Sequence, residues 1–194
     1  MTWYYDTHFE YGFAAYNGSV SRLERFIDKI KENNYMGSFI QGNFKDNIYV
    51  DTLLNAYVYS HLCWDDNTLT ALELRDEFID YYFDSFSAPY IKEYYNMMDS
   101  YYDSAFKTDG FGYQDKNLNK ITVDNLYSAK CKLDEAYKAT SDDTVKGRVL
   151  RLQLTPLFML GKLDENWRVY FIDIFKKYNG KYVNESYTLD NYVW

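Results

Sequence analysis

The sequence predicts a mainly α-helical protein, in which a short β-α-β unit precedes a helical bundle. Beyond Thr52, apolar residues recur at the three- and four-residue spacing of amphipathic helices. Before that point, two short apolar runs flank one amphipathic stretch, the pattern of two strands and a connecting helix. No fixed repeat is present and the helices differ in length, which favours a bundle over a solenoid.

The β-α-β unit is assigned to residues 1–46. Residues 2–5 form the first predicted strand, and residues 36–40 form the second, closed by the polar sequence Gln41-Gly42-Asn43. The helix between them is predicted to be capped by Asn17 or Ser19. Its apolar face holds Val20, Leu23, Phe26, Ile27 and Ile30. A unit of this kind normally has parallel strands.

The helical domain is assigned to residues 47–180, and residues 181–194 to an irregular tail. The residues predicted to face its core are Leu53, Leu54, Tyr57, Val58, His61, Leu62, Leu69, Leu72, Ile79, Tyr82, Phe83, Ile91, Tyr94, Tyr95, Met98, Tyr101, Tyr102, Ala105, Val123, Leu126, Leu133, Tyr137, Val145, Val149, Leu152, Leu160, Trp167, Tyr170, Phe171, Ile174, Phe175 and Tyr178. Trp64 is predicted as a buried anchor at a helix end, with stacking on a sugar ring as the alternative. Asp142 lies in a predicted cap, and Pro156 is predicted to kink or end a helix.

Composition excludes several classes of partner. The chain has 194 residues, enough for a substantial core, and a net charge of −8 with only 21 Lys plus Arg. The charge argues against a nucleic-acid surface, because phosphate binding needs clustered cations. No run approaches the roughly 20 apolar residues of a membrane span, and no signal peptide precedes the first strand. Cys63 and Cys131 are predicted as buried thiols, and no cofactor is indicated.

The order of several segments resembles a known family. They are YYDTHF, GSFIQGNF, LLNAYVYSHLCWD, LRDEFIDYYF, SAPYIKEYYNMM and VKGRVLRLQLTPLFML, covering most of residues 3–160. This order resembles the C-terminal part of the domain-of-unknown-function 4838 family of bacterial proteins associated with polysaccharide utilisation. That family is similar to α-glucuronidase-type glycoside hydrolases, which have a (β/α)8 TIM barrel followed by a helical domain. Residues 14–18 depart from the proline-containing loop of the family.

The resemblance implies that the two strands are the last two of a barrel. In barrel enzymes the ligand site lies at the carboxyl ends of the strands. The predicted substrate-binding residues are therefore Tyr5, Asp6 and His8 after the first strand, and Gln41 and Asn43 after the second. The alternative is that Asp6 and Asn43 are ordinary turn formers. The alternation of Asp6, His8 and Glu10 also suits metal ligation, but without a partner cluster elsewhere no metal site is predicted.

The expected function is the C-terminal portion of a glycoside hydrolase-like carbohydrate-active protein, which binds an oligosaccharide or polysaccharide. Hydrolysis needs two carboxyl groups roughly 5–9.5 Å apart across one bond, and the sequence identifies no such pair. No catalytic residue is predicted, so the chain alone is expected to be inactive. The alternative is a non-enzymatic helical binding or scaffold module. Two strands leave unpaired edges, which predicts self-association. Full-length relatives are expected to be exported, and the localisation of this chain stays open.

Overall fold

The computed structural model describes residues 2–5, 12–43, 48–64, 68–105 and 121–194, and this part of the chain is mainly helical, as predicted. The elements are β1 (Thr2–Tyr5), α1 (Ser21–Glu32), β2 (Ser38–Gln41), α2 (Val50–Leu62), α3 (Ala71–Tyr82), α4 (Ala88–Ala105), α5 (Val123–Ala139), α6 (Asp143–Leu152), α7 (Leu154–Leu163) and α8 (Arg168–Lys177). Short 3₁₀ turns span Glu165–Trp167 and Leu189–Asn191.

Strands β1 and β2 pair in parallel, in a register that sets Thr2 opposite Ser38 and Tyr5 opposite Gln41. Helix α1 connects them and buries four of its predicted apolar positions, Leu23, Phe26, Ile27 and Ile30. Within the described residues no third strand joins the pair, so the assignment of these strands to a barrel stays a prediction.

The predicted cap of α1 at Ser19 is met in part. The Ser19 hydroxyl accepts a 3.3 Å hydrogen bond from the amide of Ser21, the first helical residue, although the buried Val20, whose backbone is already helical, occupies the cap position. Helix α6 begins as predicted, because the Asp142 carboxylate accepts hydrogen bonds from the amides of Thr144 (2.7 Å) and Val145 (3.1 Å).

The predicted break near Pro156 is confirmed. Helix α6 ends at Leu152, and Pro156 lies in the first turn of α7, where no intrahelical amide donor is needed.

One hydrophobic core runs through the described helices. Helix α4 packs on α5, and α7 packs on both α5 and α8. The predicted Tyr and Met stripe of α4 is confirmed as core, since Tyr94, Tyr95, Met98 and Tyr102 are all buried.

The tail closes over α7. The amide of Phe13 donates a 2.8 Å hydrogen bond to the carbonyl of Val183. Trp194 packs with its ring centroid 5.7 Å from Phe158 and 5.3 Å from Phe171. Distant parts of the chain are therefore held together at this end of the molecule.

Several residues predicted to be buried are exposed instead. They are Leu53, Trp64, Leu69, Leu72, Val123, Tyr170 and Cys63. Trp64 is the clearest error, with 70% of its surface exposed. Helix α2 shows the cause, because its buried stripe is only Val50, Leu54, Val58 and Leu62. The helices that pack on α2, namely α1, α3 and α6, cover a narrower stripe than the sequence periodicity suggests.

Candidate functional site

The predicted ligand-binding residues lie at the carboxyl ends of the two strands. Tyr5 ends β1 and is paired in register with Gln41, which ends β2. Asn43 follows two residues later, and both Gln41 and Asn43 are partly buried. The structure thus brings Tyr5, Gln41 and Asn43 to the same end of the strand pair. Asp6 and His8 lie outside the described residues, as does Glu10 of the alternative metal site.

Strand β2 lies against α2. The hydroxyl groups of Ser38 and Tyr59 share a hydrogen bond. At the carboxyl end of the strand, a Cβ atom added to Gly42 would lie 3.4 Å from the methyl group of Thr52, in the first turn of α2. The carboxyl end of β2 therefore lies beside the start of α2.

Next to Thr52 the protein encloses a group of polar side chains, which we call the interior polar cluster: Tyr16, Asp51, Arg75, Tyr95 and Asp99. All five line one cavity of about 20 Å³, which Thr52 also lines. A cavity needs roughly 10–15 Å³ to hold a water molecule, so there is room for about one water and none for a sugar ring.

Asp51 joins three helices within this cluster. Its carboxylate accepts a 2.8 Å hydrogen bond from the Tyr95 hydroxyl of α4 and a further one from the Thr155 hydroxyl of α7. Burial raises the pKa of the Asp51 carboxyl group, although both hydrogen bonds act in the opposite direction. The protonated form is therefore stabilised relative to an exposed aspartate.

Asp99 is held by the Tyr16 hydroxyl and by Arg75, whose guanidinium nitrogen lies 3.2 Å from the carboxylate. Arg75 is only 4% exposed and donates further hydrogen bonds to Asn96 (2.9 Å) and Asp76 (2.9 Å). Burial raises the pKa of Asp99, while the hydrogen bond from Tyr16 and the charge of Arg75 lower it. The Tyr16 pKa is raised well above its ordinary value by burial and then by Asp99.

One hydroxyl near the cluster has no such partner. The Tyr94 side chain is fully buried, and its hydroxyl makes no hydrogen bond to any described residue. Burial, followed by the charges of Asp51 and Asp99, raises its pKa well above the ordinary value for tyrosine. The hydroxyl therefore lies within electrostatic reach of both carboxyl groups.

A raised carboxyl pKa is the property of a general acid, but the geometry here does not reach a substrate. Both oxygens of Asp51 and both of Asp99 accept hydrogen bonds from the protein, and the cavity beside them has room for one water. The arrangement cross-links α2, α3, α4, α7 and the segment before α1.

Sequence reasoning missed this cluster, although two signals point to it. Arg75 falls on the buried side of α3, between Leu74 and Phe78, where a charged residue needs a buried partner. Asp99 follows the fully buried Met98 and lies one turn from Tyr95. Glu77, on α3, is not part of the cluster. Its carboxylate lies near the surface and accepts a hydrogen bond from the Tyr57 hydroxyl of α2.

Two further findings bear on function. Within the described ranges, no group of three or more His, Cys, Asp or Glu side chains is arranged to hold a metal ion. Over the same ranges, no helix combines the length and the apolar character needed to cross a membrane.

Comparisons of the chain with protein-family models, with curated proteins and with solved structures gave no match.

Proposed function

We propose that this chain is the C-terminal portion of a glycoside hydrolase-like, carbohydrate-active protein, and that it contacts a saccharide without completing a catalytic site. The observation that carries the proposal is the parallel register of β1 and β2, which aligns Tyr5 with Gln41 at the carboxyl end of the strand pair. Carboxyl ends of parallel strands are where α/β proteins bind their ligands. The resemblance of the sequence to a polysaccharide-utilisation family supplies the ligand class.

The chemistry of these side chains suits a sugar. An amide side chain donates and accepts hydrogen bonds, as a sugar hydroxyl group does, and Gln41 and Asn43 each carry one. Both residues are only partly buried. Tyr5 is an aromatic residue at the same carboxyl end of the strand pair.

Incomplete catalysis is supported by the state of the two carboxyl groups in the interior polar cluster. Glycoside hydrolysis requires one carboxyl group to protonate the leaving oxygen and a second to act on the sugar. Asp51 and Asp99 are engaged by internal donors instead, and the cavity that they line holds about one water.

Binding can be tested by titrating the purified chain with neutral and uronic-acid oligosaccharides in a calorimeter. The proposal predicts weak binding that is lost in the Gln41→Ala/Asn43→Ala variant. The matched control is Asn33→Ala, which removes an exposed amide at the end of α1. Equal loss in both variants, or no binding to any saccharide, would contradict it.

Turnover is tested separately with a panel of aryl glycosides. We expect no product release at enzymatic rates. Release that is abolished by Asp6→Asn or Glu77→Gln would prove that a complete catalytic site exists in this chain.

A second candidate function is a non-enzymatic helical scaffold module. The observation that favours it is the interior polar cluster, which is satisfied internally and cross-links four helices, as a structural network would. A folded chain that binds no saccharide but is destabilised by loss of Arg75 fits this candidate and not the first.

The proposal also includes self-association through the strand edges. Among the described residues, each strand of the pair has a single neighbouring strand, and Phe39 of β2 is 46% exposed. Light scattering should show a mass that rises with concentration. A constant monomer mass would exclude this part of the proposal.

A further inference from the structure

The sequence contains two Asn-Gly pairs, Asn17-Gly18 and Asn179-Gly180. Such pairs are chemically labile, because glycine has no Cβ atom to hinder attack by its backbone nitrogen on the side chain of the preceding asparagine. Each pair is also preceded by a tyrosine and followed by a polar residue. The two pairs therefore start from nearly the same chemistry, and the fold decides which of them reacts.

The pair at the end of α8 is held in place. The Gly180 amide donates a 2.9 Å hydrogen bond to the carbonyl of Phe175, and the Asn179 amide donates one of 3.1 Å to the carbonyl of Lys176. Asn179 has a φ of 58°, and a Cβ atom added to Gly180 would lie 2.6 Å from the Phe175 ring. The nitrogen that would attack is therefore engaged, and the backbone around it has little room to turn.

The pair before α1 is not held in this way. Asn17 and Gly18 lie among residues 13–18, which form neither helix nor strand, and both are partly exposed. The Gly18 amide donates no hydrogen bond to any residue that the structure describes. No hydrogen bond therefore has to break before the Gly18 nitrogen attacks.

Arg22 favours the reaction at this pair. Its guanidinium donates a hydrogen bond to the carbonyl oxygen of Asn17. That oxygen and the Gly18 nitrogen belong to one peptide group, so negative charge that develops on the nitrogen is shared with the oxygen by resonance. A cation bonded to the oxygen stabilises this charge. Arg22 therefore activates the nitrogen that attacks.

We propose that Asn17-Gly18 is a site of spontaneous deamidation in the folded protein, and that Asn179-Gly180 is protected. The Gly18 nitrogen gives up its proton and bonds to the side-chain carbonyl carbon of Asn17, and the side-chain nitrogen of Asn17 leaves as ammonia. Water then adds to one of the two carbonyl carbons of the resulting cyclic imide and opens it to aspartate or to isoaspartate. The reaction needs water and no oxidant or reductant.

The product alters the segment that covers the cavity of the interior polar cluster. Residues from this segment line the cavity, and Tyr16, next to Asn17, donates a hydrogen bond to Asp99. Isoaspartate routes the backbone through its side-chain carbon and so lengthens the chain at this point. The Tyr16 hydroxyl should then lose its fixed position against Asp99, which destabilises the folded state.

The test is peptide mapping by mass spectrometry during incubation of the purified chain at mildly alkaline pH. In the folded chain, Asn17 should deamidate at least about fivefold faster than Asn179, because the Gly180 amide must first lose its hydrogen bond. In concentrated urea the two rates should become similar, since the neighbouring residues are alike. Equal rates in the folded chain, or a faster reaction at Asn179, would overturn the proposal.

Two substitutions test the activation by Arg22. Arg22→Met removes the guanidinium and should slow deamidation at Asn17 without changing the rate at Asn179. Arg22→Lys keeps a cation at this position and should slow the reaction less. An unchanged or faster reaction at Asn17 in Arg22→Met would show that Arg22 does not activate the pair.

The effect on the fold is measured on the modified chain itself. The deamidated form carries one more negative charge and can be separated by anion exchange. It should unfold at a lower urea concentration than the intact form. The control is Asn17→Ser, which should give far less of this acidic form over the same incubation. Equal unfolding midpoints for the intact and deamidated forms would contradict the loosening of the segment.

Discussion

At the residue scale, the adjacent tyrosines Tyr94 and Tyr95 are both buried but differ in their hydrogen bonding. Tyr94 and Tyr95 are 0% and 2% exposed, but only the Tyr95 hydroxyl donates a hydrogen bond to Asp51. A buried hydroxyl without a partner costs free energy, whereas a satisfied one stabilises the fold. The two positions therefore form an internal comparison in which burial is constant and hydrogen bonding differs.

Tyr95→Phe should lower the free energy of unfolding by about 1–2 kcal/mol, because it leaves an Asp51 oxygen without its donor. Tyr94→Phe should be neutral or stabilising by up to about 1 kcal/mol, since it removes a hydroxyl that no described residue binds. Urea unfolding followed by circular dichroism measures both. Equal destabilisation of the two variants would contradict the assigned network.

Arg75 is the buried cation of the cluster, so its removal leaves Asp99 without a compensating charge. Arg75→Leu should lower the free energy of unfolding by about 3 kcal/mol. The control is Lys92→Leu, which breaks the more exposed pair with Asp80 and should cost less than about 1 kcal/mol. Similar losses in the two variants, measured by urea unfolding, would argue against a buried pair.

The raised pKa of Asp51 makes part of the stability dependent on pH. The folded state holds this proton more tightly than the unfolded state, so its contribution is fully present below the ordinary aspartate pKa of about 4 and is lost as pH rises through the higher folded value. Asp51→Asn removes this titration. The variant should therefore gain stability relative to the parent chain as the pH rises above about 4. An unchanged difference above that pH would show that the Asp51 pKa is not raised.

At the element scale, helix starts follow local chemistry where a side-chain oxygen reaches the first turn. Helix α3 begins with a capping box, in which Thr70 and Glu73 bond each other's backbone amides. Helix α6 begins with Asp142, which the sequence predicts. At the start of α1 the Ser19 hydroxyl accepts one long hydrogen bond, from the Ser21 amide, and the buried Val20 occupies the cap position.

Asp142→Ala should lower the free energy of unfolding by about 1 kcal/mol, because two amides at the start of α6 lose their acceptor. The neighbouring Asp143→Ala should cost only a few tenths of that amount, since its fully exposed carboxylate lies 3.9 Å from Lys146. Thermal melts of both variants test the difference. A larger effect at Asp143 would contradict the assigned cap.

At the scale of the whole molecule, the segment before α1 and the tail both pack against α7. A Cβ atom added at Gly12 would lie 2.2 Å from a ring carbon of Phe158, with a ring carbon at 2.6 Å as well. That ring is also packed against Phe171 and Trp194. The close approach at Gly12 thus depends on residues that are far apart in the sequence.

Gly12→Ala should lower the free energy of unfolding by about 1–3 kcal/mol, because the Phe158 ring has no room to retreat. Gly37→Ala is the control, since an added Cβ there meets nothing within 4 Å. It should be neutral or stabilising by about 0.4–1 kcal/mol through the unfolded chain. A tolerated Gly12→Ala, measured by chemical denaturation, would place this segment away from α7.

The sequence by itself determines the mainly helical class, the parallel β-α-β unit, the buried stripe of α4 and the break before Pro156. These features depend on periodicity, capping and proline geometry, which act over a few neighbouring residues. Only the tertiary structure decides that Asp51, Arg75 and Asp99 meet in one cluster, because their partners come from distant helices. It also decides that Leu69 and Leu72 are exposed. Apolar spacing marks one face of a helix, but the placement of the neighbouring helices determines how much of that face is covered.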